Sequence, residues 1–350
     1  MKRLCYSIIS LLLLTFALPS VAQTVTGAVR GTVTDASGAI VPGATVTAAN
    51  TATGVKTAAS TNESGEYSIR FLQIGNYKLT IEAKGFETAV YGPFALEIDQ
   101  TAKIDIPLKI GSATTSVEVS DQLQPILNTE SATLGETFTE NTINSVPLNG
   151  RDFSQLTVFT PGAVSTGYGT YGQMNSTERS TNANNEADVN GSRQQSNNYL
   201  LDGQEINENL NNTIGYTPSP DSLQEIRVIA SNANAEFGNV NGGDVIMVMK
   251  SGSNAFHGSA FGFLQNDNLD ANSWVNDNNP IPVPKNPFTQ TIFGGTFGGP
   301  IFKDKLFFFV DYEAVREHSG GQTNFSVVPA AFRTGDLSVL KTAFGIQLYD

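Results

Sequence analysis

The side chains able to do chemistry are few and scattered. There are two histidines, His257 and His318, and neither has a second histidine nearby. Neither H-E-x-x-H nor G-x-S-x-G occurs. The single cysteine, Cys5, stands at the start of the chain. A zinc centre would have to be built without it, and a Ser-His-Asp site would rest on a solitary histidine in a β-prone run. Gly167-Tyr168-Gly169-Thr170-Tyr171-Gly172 fits G-x-G-x-x-G by letter. The dinucleotide motif, however, needs a strand before it and a helix after it. This copy lies between Pro161-Gly162 and an asparagine-rich stretch. Asn266-Asp267-Asn268-Leu269-Asp270 and Asn276-Asp277-Asn278 are rich in oxygen ligands, but the glycine that bends a calcium loop is missing. They read as solvated turns. The expectation is no enzyme, no cofactor and no metal site. What remains is recognition through the main chain, for which Ser116-Val117-Glu118-Val119-Ser120 offers a short β-prone stretch between polar neighbours.

Those segments are carried by a chain that reads as exported β-structure. Met1-Lys2-Arg3 is positive, an apolar run from about Ile8 to Leu18 follows, and Ser20-Val21-Ala22 supplies small residues. This is the three-part pattern of a signal peptide over 1–22, cleaved between Ala22 and Gln23. The apolar run is too short to span a bilayer, which takes about 20 residues. Cleavage removes Cys5 and makes the charge still more negative than the −13 of the whole chain. No run of Lys or Arg is left, which argues against nucleic acid. Only 15% of residues are charged, and no long apolar run follows the leader. Any passage through a membrane would therefore use strands.

From 25 to 111, Tyr67-Ile69-Phe71, Tyr77-Leu79-Ile81-Ala83 and Ile104-Ile106-Leu108-Ile110 alternate with their neighbours, and Asp35–Gly38, Asn62–Gly65 and Gly75-Asn76 mark turns. Short strands at that spacing predict a β-sandwich. Residues 112–134 form a polar linker. Between 175 and 215 lie eleven asparagines, a composition that predicts loops. Apolar strands return at Leu223–Ile229 and Val245–Met249.

Gly31-Thr32-Val33-Thr34-Asp35, Val41-Pro42-Gly43-Ala44, Gly65-Glu66-Tyr67, Gly75-Asn76-Tyr77 and Gly85-Phe86 resemble a carboxypeptidase regulatory-like domain. That resemblance implies a transthyretin-like sandwich without catalytic residues. The segments Asn198–Gly203 and Leu223–Gly252 resemble the plug of a TonB-dependent receptor. The plug motif so identified comprises Leu201, Asp202, Gly203, Glu225, Phe237, Gly238, Gly242 and Gly243. Asn232–Ala235 stands where many members have Arg-Gly-Pro, which points to the Oar-like subgroup. After Ser253, glycine- and aromatic-rich alternation sets in. In Leu306–Arg316, Leu306, Phe308, Val310, Tyr312 and Ala314 share one face, and Phe307, Phe309, Asp311 and Glu313 the other. That is the dyad pattern of an outer-membrane barrel strand.

The expected class is mainly β: the sandwich (25–111), a linker (112–134), an α/β plug domain (135–253), then the first strands of an incomplete barrel (254–350). The resemblance implies an outer-membrane location with the first domain in the periplasm. It also implies a TonB-type energy-transducing partner, contact with outer-membrane lipid, and a ligand that is a siderophore, oligosaccharide, peptide or protein. Val117, Glu118, Val119 and Ser120 would be the TonB box, the strand that the partner pairs with. A carbohydrate-binding surface module and a secreted adhesin are the rival readings. With fewer than a hundred residues after Ser253, roughly six membrane strands fit. Left without a closed barrel, these are expected to be splayed or loosely paired.

Overall fold

The computed structural model describes residues 25–111, 116–119, 132–165, 187–210, 212–235, 237–238, 241–281, 283–320, 328 and 330–346. The leader with Ala22 and Gln23, Ser120, most of the linker and the Gly167–Gly172 segment lie outside them. The chain divides into two compact units. One runs to Phe261 and takes in Gly294–Glu313. The other holds Gly262–Phe293 and the chain from Ala314 onward.

The first domain is built from β1 (Thr26–Asp35), β2 (Thr45–Asn50), β3 (Lys56–Ser60), β4 (Glu66–Gln73), β5 (Gly75–Glu82), β6 (Thr88–Leu96), β7 (Thr101–Lys103) and β8 (Ile106–Leu108). A further short strand, β9 (Ser116–Val119), follows. One sheet has the order β4-β1-β7, with β8 also pairing β1; the other is β3-β2-β5-β6-β9. Their inner faces meet in a core that includes Val29, Val33, Val46, Ile69, Leu79, Ile81, Leu96 and Leu108.

The alternation predicted for these strands holds through Tyr67 and Ile69 and fails at Phe71, which is 74% exposed. The pairing of β1 with β4 shifts register between Gly27 and Val29, Phe71 takes φ +58°, and Leu72 turns inward in its place. A bulge of one residue reverses which face each later side chain occupies. Ile110 is likewise exposed, whereas Ile104, Ile106 and Leu108 are buried.

Tyr67 is buried and its Oη donates to the Ile104 carbonyl at 2.8 Å, tying β4 to the segment between β7 and β8. Burial pushes its phenol pKa well above the usual value. Tyr67→Phe removes one buried hydrogen bond and should lower the stability of the sandwich by about 1 kcal/mol. Urea denaturation should show a lower midpoint at unchanged slope.

The middle domain holds β10 (Leu134–Thr139), α1 (Glu140–Ser145), 3-10 turns at Asn149–Arg151 and Phe153–Phe159, β11 (Ala163–Ser165), β12 (Ala187–Val189), β13 (Asn198–Leu201), β14 (Gln204–Glu205), β15 (Leu223–Ser231) and β16 (Asp244–Met249). Its five-stranded sheet has the order β10-β15-β16-β13-β14. β13 runs parallel to β16, and the other pairings are antiparallel. Phe138, Ile143, Phe153, Leu156, Tyr199, Ile226, Val228, Val245 and Met247 form the core on one face.

Part of the stretch expected to be loops is ordered here, because asparagine amides replace an apolar core as the fastener. Asn207 accepts from Tyr199 N at 2.8 Å and donates to the Asn197 carbonyl at 3.0 Å. Asn197 in turn donates to Ala187 O at 2.7 Å and accepts from Gly243 N at 3.0 Å. A buried amide that satisfies both its donor and its acceptor fixes a segment that could not bury enough apolar surface.

The last sheet is β17 (His257–Asn266), β18 (Phe288–Phe302) and β19 (Leu306–Ser319), in that order. Of the two expected alternatives, splayed or loosely paired, the described strands are paired. Glycines permit it: a Cβ on Gly294 would sit 2.1 Å from the Tyr312 carbonyl, and one on Gly258 2.3 Å from that of Thr296. Leu306, Val310 and Tyr312 are exposed on one face of β19, and Phe307, Phe309, Asp311 and Glu313 are half-buried on the other. No described helix is long and apolar enough to cross a membrane.

In the second unit, Asn266 caps the turn at Asp267–Leu269 by accepting from Asn268 N at 2.9 Å. The Lys285 ammonium bonds the carbonyls of Asp267 and Asp270.

Candidate functional site

Of the eight residues of the proposed motif, Leu201 and Glu225 lie in strands of the five-stranded sheet and the others in the segments that connect them, where most have structural work. Leu201 packs against the main core of the middle domain. Asp202 and Gly203 take φ +48° and +80° and turn the chain from β13 into β14. The Asp202 carboxylate accepts from Met249 N at 2.9 Å, which fastens that turn to the end of β16. Gly242 admits no side chain, since a Cβ would lie 2.4 Å from Asn197 Oδ1. Gly243 supplies the N–H that Asn197 accepts. Phe237 is buried in a second apolar cluster with Ile74, Ile98, Leu200, Ile229 and Ile246. Around Gly238 the space is open, and nothing in the structure explains a glycine there.

Glu225 is different again, a buried carboxylate near the start of β15. It stands opposite Thr139 of β10 and Val248 of β16. Its Oε1 accepts from Ile98 N, in the loop after β6 of the sandwich, at 2.7 Å. Burial pushes its pKa up to about 7; the Ile98 hydrogen bond and Arg227 oppose this, and Glu97 adds to it.

A second group was not singled out by sequence reasoning. Gly150 and Arg151 both have positive φ, +63° and +58°. For arginine this is a sparsely populated conformation, and such strain persists where the surroundings over-determine it. The consequence is that the Arg151 side chain turns into a part-buried niche. Its guanidinium bonds Asp221, on the turn before β15, through Nη2, and Glu313 of β19 through Nε at 3.2 Å. It also lies 4.2 Å from the ring centroid of Phe261. Ser219 Oγ donates to Glu313 at 3.2 Å, and Ser259 Oγ to Asp221 at 3.1 Å. All three charged side chains are at most 13% exposed. The guanidinium thus bridges two carboxylates, one from the middle domain and one from the last sheet. The sequence signal was the Leu148-Asn149-Gly150-Arg151 turn, but its partners lie 70 and 162 residues away.

Of the residues expected to form the partner-binding strand, Val117, Glu118 and Val119 lie in β9. It pairs in parallel with β6, with Ala89 opposite Val117 and Tyr91 opposite Val119. β9 is the outermost strand of its sheet. Among the described residues no group of three or more His, Cys, Asp or Glu is arranged to hold a metal.

Residues 28–109 match the family described as Carboxypeptidase regulatory-like domain, and residues 248–350 that described as Outer membrane beta barrel domain. The TonB-dependent transporter Oar of Myxococcus xanthus is 27% identical over 265 residues. These make up 72% of this chain and 23% of that protein, so the chain spans about a quarter of the relative's length. Among solved structures, it is similar to the outer membrane transporter YddB of Escherichia coli over 52% of this chain and 26% of that one (TM-score 0.40, 14% identity). It is also similar to the ferric enterobactin receptor of Pseudomonas aeruginosa over 55% and 26% (TM-score 0.38, 20% identity). The chain is therefore an outer-membrane protein that joins a carboxypeptidase regulatory-like sandwich to a β-barrel domain, and it is similar to a TonB-dependent transporter.

Proposed function

We propose that the chain is the N-terminal portion of a TonB-dependent receptor that binds a ligand and gates its uptake. In this reading the sheet β10-β15-β16-β13-β14 is the plug, β17–β19 open the barrel around it, and the sandwich stands in the periplasm. The observation that carries the reading is Arg151. It ties the middle domain to Glu313, on the half-buried face of β19 opposite the exposed Leu306, Val310 and Tyr312. A domain held by ion pairs to the polar face of a barrel strand is what a plug requires, because that face lines the lumen. Three described strands do not enclose a domain; plugged transporters of this kind close with about 22. No bond is made or broken: the chemistry is binding and gating. The ligand is drawn from siderophores, oligosaccharides, peptides or proteins, and the partner is a TonB-type protein that adds a strand to β9.

The test is electrophoresis of the outer-membrane fraction without boiling. A barrel gives heat-modifiable migration, and migration independent of heating overturns the reading in favour of a soluble module. Export itself predicts a mature N-terminus at Gln23. N-terminal sequencing of envelope material checks this, and an intact Met1 would remove the argument for a cleaved leader.

A further inference from the structure

The sandwich does more than precede the middle domain: it is seated on it. Ile74 and Ile98 of the sandwich are buried against Leu200, Ile229, Phe237 and Ile246, on the face of the plug sheet opposite its main core. At the centre of this seat, Ile98 N donates to Glu225 at 2.7 Å. Beside it, Asn234 donates to Asp99 at 2.8 Å. A third contact reaches the barrel domain. The carbonyl of Ala52, in the loop between β2 and β3, accepts from Asn254 N at 3.0 Å. Asn254 itself bonds Asp304, in the turn between β18 and β19, at 2.7 Å.

The seat also lies on the line of β9. β9 pairs with residues Thr88–Tyr91 of β6, and β6 ends at Leu96, directly before Glu97, Ile98 and Asp99. The covalent route from β9 to the plug is the fourteen residues 120–133, which reach about 50 Å when extended. Force on β9 therefore has a second, non-covalent route: through β6 into the loop that holds Glu225.

We propose that the sandwich is a latch on the plug, seated by Ile98 on Glu225 and released when the partner pulls β9, so that the plug is freed only after the latch opens. This rests on the receptor reading above. The buried apolar side chains of the seat make the docked state the resting one, because exposing them is unfavourable. Protons strengthen the seat. Docking removes the Glu225 carboxyl from water and raises its affinity for a proton. The seat is thus firmest below the undocked pKa and weakens as pH rises through about 7. The charged groups facing Glu225 are Glu97 from the sandwich loop and Arg227 from β15, with Asp99 acting on Arg227. Thr139 and Val248, its neighbours on β10 and β16, carry no charge.

Hydrogen exchange on the purified receptor reads the seat at the Ile98 amide. After correction for the intrinsic rate, protection should fall up to about tenfold between pH 6 and pH 8, and Glu225→Gln should abolish that dependence. Protection that is independent of pH in the wild type, or pH-dependent in the Gln variant, overturns the proton-sensitive seat.

The mechanical role is read in cells with the pair Asp99→Cys and Asn234→Cys, joined by a short thiol cross-linker. The only natural cysteine is Cys5. Energised cells should give a lower cross-linking yield than cells treated with a protonophore at fixed periplasmic pH. Equal yields overturn the latch. Failure of the receptor reading shows itself separately, as the absence of heat-modifiable migration.

Discussion

On the receptor reading proposed above, in which the middle domain is the plug and the last sheet opens the barrel, Arg151→Ala should lower the stability of the plug in its barrel by about 3–5 kcal/mol. Asp221 and Glu313 are 13% and 6% exposed, and both are held by the same guanidinium. Without it, two carboxylates in a region of restricted solvation lose the guanidinium that bridges them. Breaking a buried ion pair from one side costs far more than the pair itself is worth, because an uncompensated charge remains. The substitution also forfeits the contact with Phe261. Relief of positive φ offsets little, since alanine meets the same backbone restriction. With a urea slope of about 2 kcal/mol/M, the midpoint for plug unfolding should drop by roughly 1.5–2.5 M, while the barrel keeps its heat-modifiable migration. A triple variant, Arg151→Met with Asp221→Asn and Glu313→Gln, should recover much of the loss, since removing every charge removes the uncompensated ones. A midpoint unchanged in Arg151→Ala would mean that water already solvates the niche.

What was legible in the sequence is what local spacing encodes. Strands with one buried face write their own alternation, so Tyr77, Leu79 and Ile81 announced β5, and Leu306–Glu313 announced both faces of β19. Turn chemistry is equally local: Asp202 and Gly203 take the positive φ that turns the chain from β13 into β14. Three features escaped, each for a physical reason. The bulge at Phe71 is set by its pairing with β1, some forty residues earlier, and not by anything around Phe71 itself. The asparagine-rich stretch looked unable to order itself because composition counts apolar area, whereas Asn197 and Asn207 work through complete hydrogen-bond satisfaction. The expectation for the last strands rested on the lack of a closed barrel, which says nothing of how neighbouring strands pair, and Gly258 and Gly294 are what let those backbones approach. The candidate site divides in the same way. The motif residues could be found by resemblance. Arg151 with Glu313, and Ile98 with Glu225, are contacts between domains, which no window of sequence contains.

On the receptor reading proposed above, whichever of Val119→Pro and Glu118→Pro removes an N–H on the free edge of β9 should weaken binding of the TonB-type partner's periplasmic domain at least about tenfold, and both should leave outer-membrane insertion intact. β9 is held on one side by β6, and among the described residues no strand pairs with its other edge. Partner recognition by strand addition rests on main-chain hydrogen bonds along such an edge. Proline removes one donor and places a ring where the incoming strand must lie. Each lost bond is worth about 0.5–1.5 kcal/mol, and the steric conflict adds to it. Successive N–H groups of a strand point to opposite edges, so Glu118→Pro is the matched control: of the two substitutions, one disturbs pairing with β6 and the other the free edge. The barrel should not notice either change, because β9 lies well before β17 and none of its residues takes part in the Arg151 niche. Measured with the purified partner domain, the two variants should therefore differ from each other. The free-edge variant should lose affinity outright. The β6-facing variant should bind as well as the wild type or better, since it loosens β9 from its own sheet. Wild-type affinity in both would place the partner-binding strand elsewhere, in the segment between Ser120 and Ala132.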